Sequence, residues 1–354
     1  MTNRSTGPAD DEGHVRGKRP GHVPTIYDVA RAAGVNPSTV SRALSRPGRI
    51  SAATESRIRK AAEELRFRVN PSARALQTGR TNTLALIVAD ITNPVVFDLV
   101  RGAEAAAAVH DYTLIVAESQ ESGDAEADAV ERLMPSVDGM VLATTRMPND
   151  RIRAFTRQKP LVVLNRPVEG VAGVLPDVRG GVAELVRHLD DLGHVRVGFA
   201  SGPPTAWISA QRWDCLRSEA EVRGIQVVDL GPTMPTIVGG RKSWERVRKS
   251  RTTAVVAFND LIAIGIMQSA AKAGVEIPTH LSVAGFDDIF GSELIVPALT
   301  TVRAQLVRAG ERAVERLLAE LEGEGDNAVE PLLSTRLVAR ASTAAPWIAP
   351  VNIS

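Results

Sequence analysis

Two groups of side chains in this sequence have the types and spacing to do chemistry. The first is the run Pro37, Ser38, Thr39, Ser41 and Arg42. Small hydroxyl residues ahead of an arginine suit the reading of nucleic-acid bases. A guanidinium can give two parallel hydrogen bonds to the O6 and N7 of guanine, and short side chains let a backbone come close to base edges. The second group is Asp90, Asn93, Asn165, Asn259, Asp260, Asp287 and Asp288, each at or just after the end of an apolar run. Amides and carboxylates together offer donors and acceptors, as a polyhydroxylated ligand requires. Asn and Asp also end strands as plain turn and cap residues. That simpler account serves Asn93, Asp260 and Asp288.

The residues of known catalytic constellations do not assemble. There is no GxxxxGK[ST] phosphate loop, no GxGxxG after an apolar run and no GxSxG turn. The single cysteine, Cys215, makes neither a zinc cluster nor an intrachain disulfide, and the 6 histidines lack metal-ligand spacing. His194 reads as structural. The expectation is a binding protein without enzyme activity, cofactor or metal.

The arginine run must be held by helices. Thr25 is a good N-cap, with Asp28 suited to the first turn. Ile26, Val29, Ala30 and Ala33 make one apolar face, and Gly34 stops the helix. Asn36 caps a second helix, Pro37 takes its first position, and Val40, Ala43 and Leu44 face inward. Two short helices joined by a glycine-containing turn make a helix-turn-helix, whose second helix reads the major groove. Pro37, Ser38 and Arg42 then face bases, while Thr25, Tyr27, Thr39 and Ser41 hold phosphates and set register. A third helix starts at Ser51, with Ile58, Ala61, Ala62 and Leu65 as its core stripe. Arg57, Arg59 and Lys60 lie on its other faces. The stretch from Asn70 to Gly79 has the Pro start and Gly stop of a two-turn helix, too short to be stable unless packed on something.

Charge supports this division. Residues 1–80 carry 15 Lys+Arg and 7 Asp+Glu, a net +8; the rest carry 27 and 34, a net −7. A basic front on an acidic body points to a polyanion partner for the front alone. Residues 1–23 read as a disordered tail without the apolar core of a secretory signal, whose Arg16, Lys18 and Arg19 are within the basic share. No 18-residue apolar run exists, so no membrane span is expected. These features fit a cytoplasmic, nucleoid-associated protein.

From Thr83 the pattern changes to apolar runs of strand length, TLALIVAD, TLIVAE, GMVLAT, PLVVLN, VRVGFASG, AVVAFND and SVAGFDD, separated by helical stretches such as Phe97–Ala108, Gly180–Leu192 and Leu261–Ala273. Alternation of this kind predicts parallel α/β sheets, two of about five or six strands each, with ligands at the carboxyl ends of the strands.

The segments TIYDVARAAGVNPSTVSRAL (25–44) and RISAATESRIRKAAEELRFRVNPSARAL (49–76) resemble the lactose-repressor (LacI/GalR) family of bacterial transcription regulators. The likeness continues through NPVVFDLVRGAE, VDGMVL, LDDLGHVRVGFASGP, AVVAFNDLIAIG, LSVAGFDD and PALTTV, over about residues 24–345. It implies an N-terminal all-α helix-turn-helix domain (24–69), a hinge helix (70–80) and a two-lobed α/β domain of periplasmic-binding-protein type (83–345), then a tail (346–354). Three crossings near residues 178, 300 and 327 divide lobe 1 (83–178, 300–326) from lobe 2 (179–299, 327–345).

The resemblance further implies a homodimeric repressor on a near-palindromic double-stranded operator, controlled by a small sugar-like effector. It adds Arg49 and Ala75 to the DNA-contacting residues. It also makes Leu76 a wedge between base pairs, where without it Leu76 would be a core leucine. The effector contacts it implies are Val95, Val96, Phe97, Asn165, Arg212, Asn259 and Asp287. Trp207 lies near that pocket, either stacking on a sugar ring or simply packed. Pro37 and Ser45 depart from well-known members, which leaves the bases read there open. No leucine heptad follows Arg340, which argues against a coiled-coil tetramer. Two other classes compete: a sugar-binding transport receptor on the same two lobes, and an effector-independent architectural DNA protein.

Overall fold

The computed structural model describes residues 24–45, 49–68, 79–325 and 331–347. The expectations for the N-terminal tail, for hinge residues 70–78 including Ala75 and Leu76, and for the tail from 348 fall outside the described residues. The chain divides into two compact units between Gly79 and Arg80.

In the first unit α1 (Ile26–Ala33), α2 (Pro37–Ser45) and α3 (Ala52–Glu64) follow the expected bounds. The Asp28 carboxylate accepts the Thr25 backbone N–H at 2.9 Å and its hydroxyl at 2.7 Å, which fixes the start of α1. Gly34, at φ 61°, turns the chain out of α1 in the left-handed region, where a Cβ is disfavoured. The Ser51 hydroxyl accepts the Thr54 N–H at the start of α3. Val29, Val40, Ala43 and Ile58 are fully buried where the three helices meet. Each fully buried Val or Ile side chain contributes about 1.5–3 kcal/mol. That burial sets the orientation of α2 and leaves its other face to solvent.

The second unit contains a five-stranded sheet, order β2-β1-β3-β4-β5, and a six-stranded sheet, order β11-β10-β9-β8-β6-β7. The strands are β1 (Thr83–Val88), β2 (Thr113–Glu118), β3 (Gly139–Ala143), β4 (Leu161–Leu164), β5 (Ala172–Val174), β6 (Arg196–Ser201), β7 (Gln226–Pro232), β8 (Ala254–Ala257), β9 (Ser282–Asp287), β10 (Thr300–Arg303) and β11 (Arg336–Val338). All pair in parallel except β10 with β11. The intervening helices are α4 (Val95–Val109), α5 (Gly123–Leu133), α6 (Asn149–Thr156), α7 (Val178–Asp191), α8 (Trp207–Glu221), α9 (Ile237–Lys249), α10 (Asp260–Lys272), α11 (Gly291–Leu294) and α12 (Leu306–Glu322). Each sheet carries an apolar cluster on both faces. The central strands β1, β3, β4 and β8 are accordingly almost continuous runs of buried residues. Among the described residues no helix is long and apolar enough to cross a membrane.

One boundary differs from expectation. The second crossing was expected near residue 300, yet Thr300–Arg303 pairs in parallel with Ala284–Asp287 and so belongs to the second sheet. The ladder carries the chain through Arg303, and the crossing occurs at 304–305, before α12 returns to the first lobe. The first crossing lies at 175–177. Pro176 bridges Leu333 there, so the returning strand runs beside the outgoing one.

Within the first lobe α4 and α12 touch through backbone. A Cβ at Gly102 would stand 1.9 Å from the Val307 carbonyl oxygen, and one at Gly310 would stand 2.1 Å from that of Leu99. Helices this close admit no methyl group at the crossing. Gly310→Ala should therefore destabilise the folded chain by at least about 1–3 kcal/mol. A lowered urea midpoint at constant slope is expected; an unchanged midpoint would show that the helices separate without cost.

Candidate functional site

The outer face of the helix-turn-helix carries the residues expected there. Tyr27 is 67% exposed, and Thr25, Ser38, Arg42 and Arg49 are exposed. Pro37, Thr39 and Ser41 are half-buried at the edge of the same helix. The Arg42 Nε donates to the Ser38 carbonyl oxygen at 3.2 Å, so the guanidinium is folded along its own helix. No acidic residue occupies the first turn of α2. Its N-terminal positive dipole end is left without a local counter-charge.

In the second unit a cavity of about 120 Å³ lies between the lobes, at the carboxyl ends of the parallel strands. Of the residues expected to contact an effector, Val95, Val96, Asn165, Arg212, Asn259 and Asp287 line it. Phe97 and Trp207 do not. Phe97, at the start of α4, is 54% exposed and stacks on Phe290 from beyond β9, with ring centroids 6.5 Å apart. The first-turn side chain of α4 thus points away from the cavity toward the opposite lobe. Trp207, in the first turn of α8, packs against the apolar cluster of the second lobe. Of its two expected roles, packing is the one the structure supports.

Arg212 is held from several sides. Its Nη2 meets Asp287 Oδ1 at 3.0 Å, its Nη1 donates to the Phe258 carbonyl, and its guanidinium carbon lies 5.1 Å and 4.3 Å from the ring centroids of Phe258 and Phe286. Asn259 serves the fold as much as the cavity. Its Oδ1 accepts the Ile262 N–H and its Nδ2 donates to the Pro235 carbonyl, so the amide caps α10 and ties the α8–α9 side of the lobe to it. Asn165, at φ 63°, turns the chain at the end of β4, and its side-chain amide has no hydrogen-bond partner among the described residues.

The simpler account holds for three other strand-end residues. Asn93 accepts the Val95 N–H in a local turn. Asp288 sits between Arg303 and Arg340, tying β9 to β10 and to the C-terminal strap. Asp260 is fully buried and accepts from the Ser292 and Thr301 hydroxyls and the Ile289 N–H. His194, as expected, is structural. Its ring bonds Thr253 and the Ala344 carbonyl, and burial pushes its pKa down.

Sequence reasoning missed Glu121, Thr144 and Arg146, which line the first-lobe wall. Arg146 is bound to Glu121 through Nε at 2.8 Å and Nη2 at 2.6 Å. The loop that presents it is held by Glu126, whose buried carboxylate accepts the Arg146 N–H at 2.8 Å and the Thr145 hydroxyl at 2.9 Å. Part of the signal lies in the sequence, since all three follow the ends of β2 or β3 by one to three positions; their pairing does not, because it depends on the left-handed turns there. Backbone conformation marks the same region. Among the described residues ten non-glycine residues have positive φ, and six of them (Gln120, Glu121, Thr144, Asn165, Asp287 and Asp288) end strands at the cleft or follow them within three positions. Such conformations cost about 1–3 kcal/mol each and persist where the surroundings enforce them, as binding sites do.

A three-helix reading domain ahead of a two-lobed cleft domain defines the architecture of a ligand-binding DNA regulator. Comparison with known proteins agrees. The pattern of bacterial regulatory proteins of the lacI family matches residues 25–70, and that of the periplasmic binding protein-like domain matches residues 186–343. The HTH-type transcriptional regulator DegA of Bacillus subtilis is 30% identical over 332 residues, covering 90% of this chain and 98% of DegA. A lac repressor dimer bound to operator and an anti-inducer superposes with a TM-score of 0.83 at 23% identity, over 92% of this chain and 100% of that one. A lacI-family regulator from Enterococcus faecium with bound ribose has a TM-score of 0.67 at 28% identity, over 74% of this chain and 99% of that one. The chain belongs to the lacI family of bacterial regulatory proteins.

The buried carboxylates give the second unit a pH dependence. Burial, reinforced by the neighbouring Asp287, pushes Asp260 from 3.8 up to about 7. A raised folded value means stability that is complete below the unfolded pKa and lost as pH rises through the folded one. Melting temperature should therefore carry a falling component between about pH 4 and pH 7. Asp260→Asn, which mimics the protonated acid, should flatten that component. An identical slope in the variant would assign the titration elsewhere.

Proposed function

We propose that this protein is a transcriptional repressor that binds a near-palindromic operator as a homodimer and is controlled by a sugar-like effector held in the cleft. The observation that carries this reading is the joining, in one chain, of an exposed helix with an unopposed N-terminus and a cleft whose polar groups come from both lobes. The operator-bound dimer of the lac repressor and the ribose bound by the Enterococcus faecium regulator support the two halves separately.

On DNA, Pro37, Ser38 and Arg42 meet base edges, and Thr25, Tyr27, Thr39, Ser41 and Arg49 hold phosphates. Ala75 and Leu76 of the hinge segment enter the minor groove, with Leu76 as the wedge. A dimer fixes the spacing of two such readers, so the operator repeats its half-site about one helical turn apart. In the cleft Val95 and Val96 give apolar contact, while Asn165, Arg212 and Asp287 give polar contact. The effector acts by binding one spacing of the lobes better than the other, which shifts the population and with it the operator affinity. This reading assigns the chain to the cytoplasm and gives it no catalytic step. A transport receptor would have no use for the basic helix-turn-helix.

Arg42→Ala should lose about 1–3 kcal/mol on operator and almost nothing on random DNA. Equal loss on both, in fluorescence-anisotropy titrations at fixed salt, would make Arg42 a phosphate contact. Asp287→Ala should leave operator affinity insensitive to any sugar that weakens or strengthens binding by the parent chain. A retained response would remove Asp287 from the site.

A further inference from the structure

The two walls of the cleft are built alike. On the second lobe Asp287 Oδ1 is taken by Arg212, and Oδ2 has no hydrogen-bond partner among the described residues. On the first lobe Glu121 Oε2 is taken by Arg146, and Oε1 likewise has none. Each arginine is also tied to a backbone carbonyl, that of Phe258 or of Thr144. Exposure is low throughout, 13% and 15% for the Arg212–Asp287 side chains and 5% and 14% for Arg146–Glu121. Each wall therefore carries one carboxylate oxygen without a hydrogen-bond partner among the described residues, on a side chain fixed in place by the arginine it pairs with.

We propose that Glu121, held by Arg146, is a specificity-determining ligand contact of the first lobe, and that the effector is an uncharged polyol donating hydroxyl hydrogens to Glu121 on one wall and Asp287 on the other. This rests on the cleft being the effector site. An anion would meet an open carboxylate oxygen on both sides, while both arginines are already neutralised. A cation gains little, because each carboxylate is already paired with its arginine. A hydroxyl group needs only the open lone pair, and its own oxygen can accept from the Asn165 amide. Ile208, Phe258 and Phe286, which also line the cavity, suit the C–H faces of a sugar ring. Contact with both walls makes the ligand sensitive to the spacing of the lobes, which a regulator needs.

The test uses the full chain, by thermal shift and calorimetry, against D-ribose, D-glucose, D-galactose and cellobiose. Charged counterparts run in parallel: ribose 5-phosphate, glucose 6-phosphate, glucuronate and glucosamine. At least one neutral sugar should bind, more tightly than its charged counterparts. In Glu121→Gln the amide oxygen stays on Arg146 and an NH2 replaces the open acceptor, so affinity for that sugar should fall at least about tenfold. Glu121→Asp, which keeps the charge but withdraws it by one methylene, should also bind more weakly. The melting temperature of each ligand-free variant separates lost contact from lost fold. Binding by no neutral sugar, tighter binding by a charged member, or parental affinity in the variants that fold would overturn the proposal. Should sugar binding depend on Glu121 yet leave operator affinity unmoved, the regulatory reading fails and this one stands.

Discussion

Arg212 is surrounded on every side that matters: a carboxylate at one end, a backbone carbonyl at the other, and the rings of Phe258 and Phe286 across its faces. Taking a charge out of water costs several kcal/mol, which is recovered only with good geometry and satisfied hydrogens. Here the geometry comes from three different elements. Asp287 and Phe286 belong to β9, Phe258 follows β8, and Arg212 stands on α8. The pair therefore fixes how the helix lies over the strand ends, and with it the floor of the cleft. Burial raises the Asp287 pKa, and the Arg212 guanidinium beside it works against that rise.

The same economy holds on the first lobe with different parts. Glu126 grips the loop after β3 and thereby delivers Arg146 to Glu121. Within that lobe α4 and α12 meet at Gly102 and Gly310 with no side chain between them. The described links between the lobes are short, at 175–177 and 304–305. Phe97 and Phe290, stacked across the mouth, are the described aromatic contact that spans both lobes.

Much of this was legible in the sequence, for a physical reason. Thr25, Gly34, Pro37 and Ser51 act within a turn of where they sit, so three helices could be placed from local signals. Buried central strands are apolar throughout and declare themselves. The edge strands β5, β7 and β11 do not, because an exposed edge tolerates polar residues such as those of Gln226–Pro232. β10, flanked on both sides and buried, is only four residues long and rich in threonine, so its sequence carries the signal of a crossing more than of a strand. In the cleft, Asn165, Arg212 and Asp287 came from family resemblance. Glu121 and Arg146 were hidden because their meeting depends on left-handed turns after β2 and β3, which no local spacing reveals. Phe97 and Trp207 differ in the opposite way: their position in the chain brings them to the cleft, but the first turn of a helix decides which way a side chain leaves it, so Phe97 stacks on Phe290 and Trp207 takes the packing role that the sequence leaves open beside stacking.

The bond from Arg42 Nε to the Ser38 carbonyl has a consequence for how such a protein finds its site. On the reading proposed above, an Arg42 held along its own helix would leave Ser38 only where guanine offers its two acceptors in return. Elsewhere the phosphate contacts alone would hold the chain, and such binding is smooth along the duplex and lets a protein slide. A stowed arginine of this kind would separate travel from recognition, so that search speed and final grip fall to different residues of one short helix.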